Sequence, residues 1–83
     1  EMMAEFDITK ERKGSFLNNL NLISPGDKII YHQGSYCAGS HREDAMMASN
    51  KGFAALIQKR LGKANFMYIA IRTKKKINYD AMA

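Results

Sequence analysis

A chain of 83 residues falls short of the roughly 100–150 residues of a typical domain, so it has room for one hydrophobic core and no second domain. Its 46% hydrophobic and 25% charged residues mark a globular chain, and six Met beside four Phe and four Tyr forecast a core of aliphatic and thioether side chains around a few rings. Thirteen Lys and Arg against eight Asp and Glu give a net charge of +5, which attracts phosphate backbones, acidic lipid faces or acidic proteins without choosing among them.

In chain order, residues 1–8 are acidic and Met-rich with no strong period, and read as a flexible arm. Thr9 is a candidate N-cap for a helix over Lys10 to Asn21, which gathers Phe16, Leu17, Leu20 and Ile23 on one face. Gly14 and three Asn residues weaken that helix, and Ser24-Pro25-Gly26-Asp27 ends it in a turn. The β-branched and aromatic run Lys28 to His32 predicts a short strand, followed by a polar loop from Gln33 to Gly39. Ser40 with Glu43 has the form of a capping box, and Asp44 suits the positive end of the helix dipole, so a second helix is expected from about His41.

The end of that helix is open to two readings. Met47, Asn50, Ala54, Ile57 and Leu61 keep a helical spacing that would carry it to about residue 61. Alternatively Asn50-Lys51-Gly52 stops it, Phe53 to Arg60 is a strand, Leu61 to Ala64 a turn, and Asn65 to Thr73 the antiparallel partner. The alternation of Phe66, Tyr68 and Ala70 with Met67, Ile69 and Ile71 makes the last strand firm. The hairpin is preferred, because two non-adjacent strands would leave their edges exposed. Its expected register sets Leu56 opposite Ile69 and Ala54 opposite Ile71.

These elements predict an α+β fold, a compact winged-helix-like α-β-α-β-β order with a small antiparallel sheet and a C-terminal hairpin. The domain is expected over residues 9–73, with a basic tail over 74–83. The run Gly26 to Gly34, with Ala55 to Arg60 and Phe66 to Arg72, resembles small, largely uncharacterised proteins of tailed phages. These share Tyr-His-x-Gly after a strand, then Gln-Lys/Arg-Arg and Tyr-Ile-Ala. The resemblance covers about half of the chain and implies fold rather than activity; residues 35–41 depart from the pattern.

No set of residues carries recognisable catalytic chemistry. Cys37 is the single cysteine, which excludes an intramolecular disulfide and fits a reducing, cytoplasmic location. The apolar runs are too short for a membrane-spanning helix, and no leader pattern opens the sequence. One Cys and two His supply no paired metal ligands, the glycines lack the spacing of a phosphate loop, and adjacent Glu43 and Asp44 diverge by about 100° on a helix. Neither a metal nor another cofactor is expected. An enzyme would need a pocket around His32, Cys37 and His41, whereas Cys37 beside Tyr36 and Ala38 reads as a small filler and His32 as a packed imidazole.

The cations point instead to binding. Lys59, Arg60 and Lys63 flank the hairpin turn, Arg72, Lys74, Lys75 and Lys76 follow the returning strand, and Arg42 and Lys51 bracket the second helix. On a winged-helix-like layout they would form one strongly basic end that contacts DNA backbone through hairpin and tail. Phe66, Tyr68 and Arg72 alternate on one strand face, with Lys59 expected near Phe66, a pattern that also suits stacking on a single strand. The alternative is a protein-interaction module that docks on a host or virion protein through the Met-rich arm and an open strand edge, and a homodimer would cover such an edge.

Overall fold

Apolar side chains that alternate in the second half of the chain, and recur at helical spacing in two short stretches of the first, have to meet on one side of a sheet. The computed structural model describes residues 4–76, ordered as β1 (Glu5–Asp7), α1 (Ser15–Leu22), β2 (Lys28–Gly34), α2 (Ser40–Asn50), β3 (Ala54–Gly62) and β4 (Asn65–Arg72). The four strands form one sheet in the order β1-β2-β4-β3. β1 runs parallel to β2 with α1 as the crossover between them, and the other two pairings are antiparallel. Among the described residues no helix is long and apolar enough to cross a membrane.

Register divides the sheet into two faces. One carries Ile29, Tyr31, Ala54, Leu56, Tyr68 and Ala70, and both helices lie on it. Phe16 and Leu20 of α1, Ala45 and Ala48 of α2, and Ile8, Ile23 and Phe53 from the connections complete this core. Full burial of residues such as Phe16, Ile29 and Phe53 contributes about 1.5–3 kcal/mol each. The other face carries Ile30, Ile57, Met67, Ile69 and Ile71, and neither helix covers it.

The α+β class and the C-terminal hairpin follow the sequence expectation; several boundaries do not. Within the expected arm, Glu5–Asp7 is a strand paired with Lys28–Ile30. Ile8 behind it is 1% exposed, and its N–H donates to the Ile30 carbonyl at 2.9 Å. Three residues are too few to show a period, and it is the buried Ile8 that recruits them. The order therefore gains a leading strand, and the hairpin continues a four-stranded platform. Residues 1–3 of the arm and 77–83 of the tail lie outside the described residues.

Thr9 does not cap a helix. Its N–H and hydroxyl both donate to the Asp7 carboxylate, at 2.9 and 2.6 Å, and close a turn. α1 starts only at Ser15, because Gly14 adopts φ 94°, outside the right-handed helical region. The expected Ser24–Asp27 turn is present, held by the Asp27 N–H on the Ser24 carbonyl (3.0 Å) and the Ser24 N–H on the Asp27 carboxylate (2.9 Å).

At α2 the capping box is absent: Gly39 is the N-cap, Ser40 is already helical, and the Glu43 N–H meets the Gly39 carbonyl at 3.2 Å. The expected stop at Gly52 holds. With φ 83° at Gly52, its N–H reaches the Ser49 carbonyl at 3.0 Å and the Phe53 N–H reaches the Ala48 carbonyl at 2.8 Å, the pair of bonds of a Schellman ending. Phe53 is thereby turned into the core, and β3 begins.

The hairpin register differs by one residue from the expected one. Leu56 pairs with Ala70 and Ala54 with Arg72, because β3 runs through Leu61 to Gly62, the loop shortens to Lys63-Ala64, and a bulge falls between Arg60 and Gly62. A second bulge in β2 lies between Ile30, opposite Ile69, and His32, opposite Tyr68, with Tyr31 as the additional residue. Tyr31 and His32 both face Tyr68 as a result, with ring centroids 6.3 and 5.8 Å away.

Two measurements test these local forces. Ala64 holds φ 52°, a left-handed conformation that costs a non-glycine residue about 1–2 kcal/mol, partly offset by the flexibility of glycine when unfolded. Ala64→Gly is expected to stabilise the fold by about 0.5–1 kcal/mol and to raise Tm by several degrees in thermal denaturation; a lower Tm would contradict the strain. The Thr9 hydroxyl first, then the Thr9 N–H, hold the Asp7 carboxyl below the usual aspartate range. This stabilisation is fully present above the ordinary aspartate pKa and is lost as pH falls through the lowered folded value. Thr9→Val should raise the Asp7 midpoint in a carbon-detected NMR titration, and an unchanged midpoint would remove the hydroxyl as the cause.

Candidate nucleic-acid interface

The antiparallel hairpin separates the cations. Lys59, Arg60 and Lys63 stand at its tip, while Lys51, Arg72 and Lys74 to Lys76 stand at the opposite end of β4, about 23 Å away at 3.3 Å per residue. The single basic end expected from sequence is thus two ends. Arg42 is exposed in the first turn of α2, apart from both groups in sequence. Its charge is felt at Tyr31 and Cys37.

The far group is occupied in holding the fold. The Arg72 guanidinium donates to the Ile23 carbonyl, so a cation sits at the negative end of α1. Lys75 Nζ donates to the Lys51 carbonyl at 2.7 Å and lies 5.2 Å from the centroid of the Phe53 ring, a cation–π contact. Thr73 fastens the same corner, its hydroxyl donating to the Gly52 carbonyl at 2.6 Å and its N–H to the Phe53 carbonyl at 3.0 Å. Lys74 and Lys76 are exposed, and Lys51 is half-buried.

At the tip the two faces differ. Lys59 pairs with Met67 on the face that the helices leave uncovered, whereas Arg60 pairs with Phe66 and Gln58 with Tyr68 on the helix side. Sequence reasoning placed Lys59 near Phe66; the bulge at Leu61 puts Arg60 there instead. A row of rings runs outward along this side. Phe16 meets Tyr31 edge to face at 5.8 Å, Tyr31 meets Tyr68, and Tyr68 meets His32 at 5.8 Å and Phe66 at 6.5 Å. The row passes from fully buried Phe16 to half-buried His32, Tyr68 and Phe66. Opposite Phe66 stands Gly34, which has no side chain to cover the ring. Tyr36, in the loop after β2, is 71% exposed. His32 was missed as a member of this row because only the β2 bulge turns it to the Tyr68 side.

Cys37 packs against the core, and its burial raises the thiol above its ordinary pKa while Arg42 acts in the opposite direction. Burial likewise pushes Tyr31 up to about 12. His41, 9% exposed, brings Nε2 to 3.0 Å from the Glu11 carbonyl; a carbonyl only accepts, so Nε2 carries the proton in this bond and ties the β1–α1 loop to α2. Comparison of the chain with protein-family models, curated proteins and solved structures finds no match.

The thiol provides a direct check on this environment. Alkylation of Cys37 by iodoacetamide should show a midpoint above that of a free cysteine and run several-fold slower near neutral pH. A midpoint below the free value would reveal a thiolate-stabilising site.

Proposed function

We propose that the chain binds nucleic acid, without catalysis and without a cofactor, on the hairpin half of the helix-side sheet face. The observation that carries this reading is the half-exposed ring row His32, Tyr68 and Phe66, bordered by Arg60 and Gln58 across the strand pair. Every base has a face that stacks on a ring, and Arg60, Lys63 and Arg42 lie where they can neutralise the phosphates of a strand laid along the row. Both helices lie flat on the sheet, and α2 buries Ala45 and Ala48 against it, so the reading favours an extended strand over a helix inserted in a duplex groove. DNA in the cytoplasm of a host cell, with the chain acting as a phage-type accessory protein, is the setting we attach to it. The rival reading, docking on another protein, draws on half-exposed Ile57 on the sheet face away from the helices.

Fluorescence anisotropy with labelled single-stranded and duplex oligonucleotides tests the proposal. Three cations on a single strand give a slope of log K against log salt of about −2. Phe66→Ala should weaken single-strand binding by about 1–3 kcal/mol, roughly 5- to 150-fold, and Arg60→Glu with Lys63→Glu should weaken it further. Neutralising Lys74 and Lys76, at the other end of β4, should leave it unchanged. Absence of saturable binding at low salt, or an affinity indifferent to Phe66→Ala, would overturn the reading.

A further inference from the structure

The loop between β1 and α1 carries cations that the hairpin does not use. Lys10, Glu11, Arg12, Lys13, Ser15 and Asn18 line one hollow, three cations to one carboxylate, and all three cations are exposed. The loop is held at several points. The Glu11 N–H donates to the Ile8 carbonyl at 2.9 Å, the Glu11 carbonyl accepts from His41 Nε2 at 3.0 Å, and the Ser15 N–H donates to the Arg12 carbonyl at 3.2 Å. The cations thus stand on a backbone already fixed, so little further ordering would oppose a ligand.

The hollow opens at the start of α1, where the helix dipole is positive and uncompensated. The first turn holds no acidic residue, Gly14 at the N-cap supplies no side-chain bond, and the N–H groups of Phe16 and Leu17 take no backbone carbonyl. Ser15 adds a polar group for which the fold has no use. It is only 9% exposed and lies in the wall of the hollow. Asn19 donates to its carbonyl at 2.8 Å, whereas its hydroxyl makes no hydrogen bond among the described residues. A Cβ added at neighbouring Gly14 would meet no atom within 4 Å, so the space beside the hydroxyl is open. A hydroxyl held in this way gains from any acceptor that enters.

We propose that this hollow is a phosphate-binding site, in which the Ser15 hydroxyl and the Asn18 amide donate to phosphate oxygens while Lys10, Arg12 and Lys13 supply the countercharge. Asp7 and Asp44 also feel Lys10 and Lys13, but Asp7 is bonded by Thr9, Asp44 is half-buried on α2, and neither lines the hollow. Three cations suit the double charge of a phosphate group better than the single charge of a carboxylate. The phosphate belongs either to a free phosphorylated compound or to a nucleic-acid backbone, and the recognition chemistry is the same. No cation of the hairpin tip and none of the outer rings takes part, so the site stands or falls separately from strand binding on the ring row.

Titration of the full chain with inorganic phosphate at constant ionic strength, followed by amide shifts in two-dimensional NMR, tests the site. Phosphate should move the amides of Lys13 to Asn18 saturably, and acetate should not. Ser15→Ala should keep its Tm in phosphate-free buffer, since the hydroxyl has no partner to lose, and should weaken phosphate binding roughly 10-fold or more. Arg12→Gln with Lys13→Gln, both at exposed positions, should weaken it likewise. A short single-stranded oligonucleotide that competes with phosphate at these amides would place the phosphate on a nucleic acid. Competition by a phosphorylated small molecule alone would make the ligand a free one, and either result supports the site. Absence of a saturable shift, equal shifts with acetate, or an affinity indifferent to both variants would overturn the proposal. So would a lower Tm for Ser15→Ala without phosphate, by showing that the hydroxyl is bonded within the fold.

Discussion

Small side chains between α2 and the sheet set the spacing on which the rest of this fold rests. Ala45 and Ala48 on the helix and Ala54 and Ala70 on the strands are buried in one cluster, so helix and sheet approach closely without a large side chain between them. A larger residue at any of these positions would have no space without moving the helix. Because α2 lies flat, its Schellman ending delivers Phe53 directly into the core, and Phe53 in turn fixes which residues of β3 face inward. The separation of a ring-bearing face from an isoleucine face is therefore a consequence of how one helix ends.

Helix length explains why both helices lie on one side of the sheet. α1 has eight residues and α2 eleven, about 12 and 17 Å at 1.5 Å per residue, enough to cover one side of the sheet and no more. An isolated helix of either length would be marginal in water, so both depend on the sheet they cover. α1 depends further on Arg72, whose guanidinium reaches from the last residue of β4 to the carbonyl just beyond the helix end. A cation placed there is structural in this fold, and the Lys75 contact with Phe53 and Lys51 makes the neighbouring corner structural as well.

Much of this architecture was legible in the residues. The alternation of β4, the turn at Ser24–Asp27 and the stop at Gly52 are local signals, each set by backbone chemistry within a few positions. What was not legible depends on contacts distant in sequence. β1 is a strand because β2 offers its edge and Ile8 fills the core, and nothing in Glu5-Phe6-Asp7 alone announces it. The candidate site divides in the same way. The rings Phe66 and Tyr68 and the tip cations Lys59, Arg60 and Lys63 were evident, but their sorting between faces turned on two bulges that composition and period do not reveal. Thr9 and Ser40 carried capping side chains in the right pattern, yet Gly14 and Gly39 took the capping positions, since a backbone free to adopt positive φ displaced the side-chain signal.

The bulge at Tyr31 carries a consequence for how this chain can change. Strand positions have parity: even and odd residues belong to opposite sides, and an inserted residue reverses the assignment of everything beyond it. In β2 the reversal occurs between Ile30 and His32, so the strand stays paired with β4 throughout while His32, Gln33 and Gly34 exchange the faces they would otherwise hold. Removing Tyr31 would leave His32 opposite Tyr68, Gln33 opposite Met67 and Gly34 opposite Phe66, but would take away the ring that joins Phe16 to Tyr68. The additional residue is thus what links the buried core to the outer rings, a constraint on the length of β2 as well as on its composition.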